Sequence, residues 1–79
     1  MRFWVYILQS RSSGRYYCGQ TSDVGRRVRQ HNDPEYQQTR TTKVMAGPWE
    51  LVWSKGCSSR AAAMELEKRI KKRGIARFL

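Results

Sequence analysis

The sequence contains no long hydrophobic run. A helix that spans a bilayer needs about 20 consecutive, mostly apolar residues, and no stretch of this chain approaches that length. A secretory signal peptide is not expected either, because the N-terminus enters a strand-like pattern at once. The basic helical segment near the C-terminus lacks the broad aromatic or leucine face of an interfacial helix. We therefore predict no association with membranes.

Cysteine and histidine are also scarce. The two cysteines, Cys18 and Cys57, have no close cysteine or histidine partner at zinc-finger spacing, which argues against a structural zinc site. Both thiols are expected to act as small packing residues. A reduced, cytoplasmic setting is therefore predicted.

Acidic residues are outnumbered by basic ones. The chain has 16 lysines and arginines but only 6 aspartates and glutamates, which gives a formal net charge of +10. Charge of this size favours polyanionic partners. Nucleic acid is the first candidate, and general solvation is the alternative.

The length limits what the chain can enclose. A chain of 79 residues is expected to form one domain over positions 1–79, and a domain this small buries only about 60% of the surface of its unfolded chain. That leaves room for one sheet, a couple of helices and a shallow site. We therefore predict no deep pocket for a small-molecule cofactor.

The N-terminal third reads as a β-hairpin. Residues 2–9 are aromatic and β-branched, residues 10–14 are polar and end in glycine, and residues 15–20 return to aromatic character, which predicts two antiparallel strands. Both faces of the first strand are apolar, so it is expected to be central and covered on both sides. Strand periodicity places Phe3, Val5 and Ile7 on one face, Trp4, Tyr6 and Leu8 on the other, and Tyr17 with Gly19 on one face of the second strand.

A first helix follows the hairpin. All three residues at positions 21–23 suit a helix N-cap, and the helix is predicted to end at about Gln30 or His31. Val24 and Val28 define its inner face, since residues four apart lie on the same side of a helix. The same rule places Arg27 and His31 inward and Arg26, Arg29 and Gln30 outward.

The next segment is predicted to be a long loop followed by a third strand. Residues 32–48 contain two prolines and many polar residues, and loops of this length in small domains are often functional. Residues 49–54 alternate in polarity, which predicts a strand with Trp49, Leu51 and Trp53 on one face.

The last helix separates its two glutamates. It is predicted over residues 60–72, with Ser58 or Ser59 as the N-cap. Glu67 lies beside the apolar stripe, whereas Glu65 lies on the solvent side. The stripe consists of Ala63, Leu66 and Ile70.

These elements predict an α+β fold in the order β-β-α-β-α. The expected sheet is small, three-stranded and mainly antiparallel, with helices flanking it.

Residues of one known family occur here in the expected order: Trp4-Val5-Tyr6, Tyr17-Cys18-Gly19, Arg27, His31 and Glu67. The chain resembles the GIY-YIG endonuclease superfamily, most closely its small single-domain bacterial branch. The similarity extends over nearly the whole chain, including the GPWELVW strand and the AMELEKRIKKRG helix. Trp4-Val5 replaces Gly-Ile and Cys18 replaces Ile, but the two motif tyrosines and Gly19 are kept.

The resemblance implies a divalent-metal-dependent endonuclease that hydrolyses DNA phosphodiester bonds, with a structure-selective or repair-related target. Tyr6 would deprotonate or orient the attacking water, and Tyr17 would position phosphate or water. Arg27 would bind the scissile phosphate, because a guanidinium matches phosphate oxygens bidentately. Glu67 would hold Mg²⁺ or Mn²⁺, since one carboxylate with phosphate oxygens and waters is a usual Mg²⁺ site.

Other interpretations of these residues stay open. Glu67 could form a half-buried salt bridge to Arg27, and the two tyrosines could be ordinary core residues. His31 suits a proton relay or phosphate contact, but a histidine at a helix C-terminus is also favoured by the helix dipole.

Further contacts to nucleic acid are predicted for one group of residues, namely Gly19, Arg26, Asn32, Arg40, Lys43 and Lys71. Gly19 would let the backbone approach phosphate or allow the turn into the helix. Asn32 is also a candidate for a left-handed helix cap. A non-catalytic nucleic-acid-binding module is the rival function, and a protein-interaction domain is a third.

Overall fold

A computed structural model describes residues 2–33 and 48–79. In these residues the chain forms the strands β1 (Phe3–Ser10), β2 (Tyr16–Thr21) and β3 (Trp49–Cys57), and the helices α1 (Val24–Asn32), α2 (Arg60–Arg73) and α3 (Ile75–Phe78). The predicted order β-β-α-β-α is confirmed, with α3 as a short addition at the end. No helix in the described ranges has both the length and the apolar character needed to cross a membrane.

β1 lies at the centre of the sheet, as its two apolar faces predicted. The strand order is β2-β1-β3, and both neighbours run antiparallel to β1. The hairpin closes where Gly14 adopts a positive φ of 76°, a conformation that glycine adopts without steric cost. Its backbone N–H donates to the Ser10 carbonyl at 2.9 Å. This hairpin fixes the register that places the side chains of β1 and β2 opposite each other.

The two faces of the sheet carry separate buried clusters. On the α2 face the fully buried residues are Val5, Ile7, Cys18, Ala63 and Ile70. On the α1 face they are Tyr6, Leu8 and Trp49, with Tyr17, Val24 and Val28 packed against them. The inward stripes predicted for both helices are therefore confirmed.

Local sequence signals set the helix ends. The Asp23 carboxylate accepts from the Arg26 N–H at 3.1 Å and begins α1, and the Ser59 hydroxyl accepts from the Ala62 N–H at 3.1 Å and begins α2. Each bond satisfies a backbone donor that the first helical turn leaves unpaired. α2 ends at Gly74, whose φ is 98°.

β3 differs from its prediction. It extends to Cys57, and its pairing with β1 shifts by one residue, because Ile7 lies opposite Trp53 while Leu8 lies opposite Leu51. The extra residue makes a β-bulge, which reverses the facing of all later side chains. The prediction that Trp49 and Trp53 share a face is therefore wrong. Trp49 packs on the α1 face, and Trp53 packs on the α2 face, with its ring centroid 4.9 Å from that of Phe78.

Candidate functional site

The centre of the site is a buried pair formed by Tyr6 and His31. Tyr6, in the middle of β1, is 1% exposed, and His31, in the last turn of α1, is 3% exposed. The Tyr6 hydroxyl lies 2.9 Å from the His31 Nε2. A neutral phenol donates here, and a neutral imidazole accepts at Nε2 when its proton resides on Nδ1. The packing of α1 on the sheet thus joins two residues that the sequence separates by 25 positions.

Gly19 makes room for the Tyr6 phenol. The two residues are directly paired across β1 and β2, so their side-chain positions share the α1 face. A Cβ atom on Gly19 would lie 2.7 Å from the Tyr6 hydroxyl oxygen and 2.9 Å from its Cζ atom, closer than van der Waals contact allows. The missing side chain is therefore what lets the phenol pass over β2. Contact between Gly19 and a phosphate stays a prediction.

Tyr17 extends the pair toward the surface. Its ring centroid is 4.9 Å from that of His31 and 6.3 Å from that of Tyr6, and the side chain is half-buried. The neighbouring Tyr16 packs on the opposite face of the sheet, as its strand position predicted. Of the two adjacent tyrosines, only Tyr17 belongs to the site.

Burial raises the pKa of Tyr6 well above its ordinary value, and proximity to Tyr17 and, more weakly, Glu67 raises that pKa further. Arg27 opposes the rise through its charge and through a hydrogen bond. Tyr6 is therefore a neutral phenol near pH 7. The charges of Arg27 on α1 and of Glu67 on α2 thus both influence the same hydroxyl, although their helices cover opposite faces.

Arg27 is positioned by Gln30, which helical spacing predicted to point outward. Its Nη1 donates to the Gln30 Oε1 at 3.0 Å, and both side chains are partly buried. The prediction that Gln30 points outward is wrong, because three-residue spacing puts it beside Arg27 on the helix surface. That spacing was the signal that could have identified Gln30. The bond orients the guanidinium without neutralising its charge.

Glu67 is the carboxylate that faces the sheet. Its side chain is 20% exposed, against 72% for Glu65, so the predicted separation of the two glutamates is confirmed. The nearest cation is Lys71, whose Nζ lies 3.8 Å from the Glu67 Oε1. Within residues 2–33 and 48–79, no carboxylate lies at ion-pair distance from Arg27. The alternative of a Glu67–Arg27 salt bridge is therefore not what the structure contains.

Glu67 fits a metal site that uses a single protein carboxylate, but not one built from several protein ligands. In the part of the chain that the structure describes, no group of three or more His, Cys, Asp or Glu side chains converges to hold a metal ion. A cage of protein ligands is thus not formed there. A single inward carboxylate suits Mg²⁺, which commonly binds one or two carboxylates, several waters and the substrate's phosphate oxygens.

Asn32 has a structural task. Its Oδ1 accepts from the Trp49 N–H at 2.7 Å, and its Nδ2 donates to the Trp49 carbonyl at 3.0 Å. These two hydrogen bonds join the end of α1 to the start of β3. The prediction of a left-handed cap is wrong, since every non-glycine residue in the described ranges has a negative φ. A contact between Asn32 and nucleic acid stays a prediction.

The other predicted contact residues are dispersed. Arg26 is exposed in the first turn of α1, and Lys71 is 55% exposed beside Glu67. Arg40 and Lys43 lie outside the described residues. The structure therefore brings Tyr6, Tyr17 and His31 together directly, with basic residues around them.

The chain is similar to proteins of several organisms. A UPF0213 protein of Vibrio cholerae is 41% identical over 71 residues, which cover 86% of this chain and 65% of that protein. The structure-specific endonuclease subunit SLX1 of Meyerozyma guilliermondii is 41% identical over 68 residues, covering 82% of this chain and 23% of that protein. The chain thus spans less than two thirds of the length of either relative.

A solved structure and a family model agree with these relatives. The solution NMR structure of a UPF0213 protein from Bacillus halodurans superposes with a TM-score of 0.52 at 33% identity, over 91% of this chain and 72% of that one. The model of the GIY-YIG catalytic domain matches residues 2–76. A match of this extent, on a chain whose two motif tyrosines meet beside one histidine, identifies the protein as a member of the GIY-YIG nuclease domain family.

Proposed function

We propose that the protein is a divalent-metal-dependent endonuclease that hydrolyses phosphodiester bonds in DNA. The observation that carries the proposal is the bond of 2.9 Å between the Tyr6 hydroxyl and the His31 Nε2, in which the hydroxyl is influenced by the charges of Arg27 and Glu67. The similarity to a relative named as a structure-specific endonuclease subunit supports a branched or nicked target.

The Tyr6–His31 pair handles the proton of the attacking water. Because its pKa is raised, Tyr6 does not start as a phenolate, so its hydroxyl must lose a proton as it gains one. The water proton passes to the Tyr6 oxygen while the phenolic proton passes to the His31 Nε2. The water oxygen bonds to phosphorus, the bond to the leaving ester oxygen breaks, and that oxygen takes a proton from solvent. Proton transfer by positioned side chains contributes roughly 10²- to 10⁴-fold to a rate.

Arg27 and Tyr17 hold the phosphate. The guanidinium of Arg27 is oriented by Gln30 and offers its remaining N–H donors to two phosphate oxygens. Tyr17 borders the His31 ring at 4.9 Å on the more open side of the site, where its hydroxyl can orient phosphate or water. Both roles need a phosphate in contact with the α1 face.

Glu67 is the proposed ligand for Mg²⁺ or Mn²⁺. When bound, such an ion stabilises the negative charge that develops on the phosphate. The carboxylate of Glu67 is carried by α2 and influences the pKa of Tyr6 through its charge, and its ion-pair partner Lys71 lies 3.8 Å away.

The proposal is tested by a nicking assay. Supercoiled, nicked and branched DNA are incubated with the native protein in Mg²⁺ or Mn²⁺, and the same assays are run with Glu67→Gln. Glu65→Gln is the matched control, because it makes the same change two residues away on the solvent side. We expect cutting by the native protein and by Glu65→Gln, and none by Glu67→Gln.

The rival function makes the opposite prediction. A binding module that keeps the nuclease fold would bind DNA in a salt-sensitive manner, equally well with Glu67→Gln, and would give no product with either metal. Absence of cutting by the native protein on every DNA form, or equal cutting by Glu67→Gln, would overturn the enzymatic proposal.

The proposed compartment is the cytoplasm. Cys18 and Cys57 are both free thiols, as in proteins that work under reducing conditions. Mass spectrometry of the protein isolated from cells under alkylating conditions should find both thiols unmodified by oxidation.

A further inference from the structure

A basic basin lies beside the site and shares Arg27 with it. It has a volume of about 320 Å³ and is lined by residues of β1, β2, α1 and α2 that include Phe3, Gln20, Arg26, Arg27, Gln30 and Arg60. We call it the arginine basin. Arg27 connects it to the site, because the same side chain affects the pKa of Tyr6.

Three cations converge on the arginine basin without a carboxylate among its described lining residues. Arg26 and Arg27 come from the start of α1, and Arg60 is the first residue of α2. The Asp23 carboxylate caps α1 and lines a different cleft, together with Trp4 and Leu51. The basin is therefore a concentration of positive charge that the surrounding described residues do not balance.

The position of these arginines is unfavourable for the helices themselves. A helix N-terminus carries a partial positive charge, so cations in the first turn destabilise it and anions stabilise it. Neither α1 nor α2 has an acidic residue in its first turn. The Asp23 carboxylate already caps α1, so an anion in the basin would offset the charge of the arginines and of the α2 start.

Arg60 is held over the basin by an aromatic ring. Its Cζ lies 5.7 Å from the centroid of the Phe3 ring, within the range of a cation–π contact. This contact orients the guanidinium but leaves its N–H donors available to a ligand. Gln20 borders the same space, and its buried Oε1 has no hydrogen-bond partner among the described residues.

The geometry of α2 relates the basin to the reaction site. Arg60 and Glu67 are seven residues apart, which is nearly two helical turns and about 10 Å along the axis. Phosphates of one DNA strand advance about 3.4 Å per nucleotide along a duplex. Arg60 and Glu67 are therefore about as far apart along α2 as three nucleotide steps along a duplex.

We propose that the arginine basin binds a backbone phosphate of DNA within about three nucleotides of the bond that is cut. The proposal rests on the proposed function, since Arg27 joins the two places. Arg60 is its distinguishing residue: it contacts the substrate backbone but takes no part in the chemical step.

The test measures DNA binding without cleavage. A short, fluorescently labelled nicked duplex is titrated with the protein in EDTA over a series of salt concentrations. Arg60→Gln should weaken binding several-fold and reduce the slope of log K against log salt by about one, because one phosphate contact is lost. Arg60→Lys should keep the native slope but bind more weakly, since lysine retains the charge and loses the bidentate fork.

Arg69→Gln is the matched control. It removes the same charge from the same helix, but nine residues after Arg60 and so on the opposite side of α2, where Arg69 is 76% exposed beside Glu65. Its slope and affinity should match those of the native protein. Thermal melting of all variants checks that each is folded, as expected for exposed positions.

The outcomes separate this proposal from the proposed function. Equal effects of Arg60→Gln and Arg69→Gln, in a protein that cuts DNA, would overturn the basin and leave the nuclease intact. An Arg60-dependent slope in a protein that cuts no DNA would support the basin and overturn the nuclease. A native protein that binds no DNA at all would overturn both.

Discussion

The face of the sheet covered by α2 and the face covered by α1 bury different kinds of side chain. The α2 face is filled by aliphatic residues and a thiol. The α1 face buries a phenol and an imidazole that are bonded to each other. Consecutive residues of β1 supply both faces, since Val5 and Ile7 point one way and Tyr6 points the other. A single strand thus supplies aliphatic side chains to one face and a hydrogen-bonded phenol to the other.

Burial has a different physical effect on each of the two faces. Aliphatic burial on the α2 face stabilises the fold through area removed from water. On the α1 face, burial raises the pKa of Tyr6 and encloses the hydrogen bond between Tyr6 and His31, which is costly to break because both groups are buried. Substitutions on the two faces should therefore fail in different assays.

The largest expected effect comes from Tyr6→Phe. The variant keeps the ring that fills the α1 face but removes the hydroxyl that contacts His31, so DNA cleavage should fall by about 10³-fold. Because the buried His31 Nε2 loses this contact, the free energy of unfolding should also fall, by about 1–3 kcal/mol. Tyr16→Phe, on the opposite face, should cut DNA at the native rate. Equal loss in both variants would show that the α1 face holds no special chemistry.

Next in size is the effect of Ile70→Ala on the other face. Ile70 is fully buried against the sheet, and truncating such a side chain leaves a cavity that lowers the free energy of unfolding by about 2–5 kcal/mol. Urea unfolding measures the change, with the 45% exposed Met64→Ala as a control expected within about 0.5 kcal/mol of the native protein. Cleavage per folded molecule should be unchanged at low temperature, and its loss would contradict the division between the faces.

Gly19→Ala tests how strongly cleavage depends on the position of the Tyr6 hydroxyl, because the variant keeps that hydroxyl but should displace it. The added methyl would overlap the Tyr6 hydroxyl and displace it from His31, and a shift of about 1 Å at a reacting group costs roughly 10²-fold in rate. Gly25→Ala is the matched control, because the same methyl there meets nothing closer than 3.7 Å. That change should stabilise α1 by about 0.5–1 kcal/mol and leave cleavage intact. A fully active Gly19→Ala would refute the account of Gly19.

The smallest effect is a pH dependence of stability from the α2 face. Burial raises the pKa of Cys18 from 9.0 to about 11 in the folded protein, with Glu67 adding to the rise. Above pH 9 the unfolded chain releases this proton while the folded chain keeps it, so stability falls as the pH rises, by roughly 1–2 kcal/mol before pH 11. Cys18→Ala should show a flatter decline in urea unfolding over this range. Parallel curves for the two proteins would contradict the assignment.

Much of the fold could be predicted from local sequence patterns. The double apolar character of β1 predicted its central place, and Asp23 and Ser59 marked the starts of both main helices. Glu67 was separated from Glu65 by helical phase alone. These features are visible in sequence because each depends on neighbours within one or two turns of the chain.

The remainder depended on contacts between distant segments. The alternation in β3 continued without a break, so nothing local marked the bulge that turns Trp53 to the other face. The reason for Gly19 lies in a hydroxyl thirteen positions earlier in the chain. Arg60 belongs to no sequence motif. Only the fold shows that it lines the same basin as Arg26 and Arg27, where the starts of two helices meet. The sequence indicated which residue types could take part in catalysis, but it did not give the distances between them.

The two hydrogen bonds from Asn32 to Trp49 have a consequence for how the chain tolerates insertions. They join the end of α1 to the start of β3, so these two ends stay together whatever the length of the chain between them. Doubling the length of a closed loop costs only about 0.6 kcal/mol. Lengthening the chain between Asn32 and Trp49 should therefore cost little stability and leave the Tyr6–His31 pair in place.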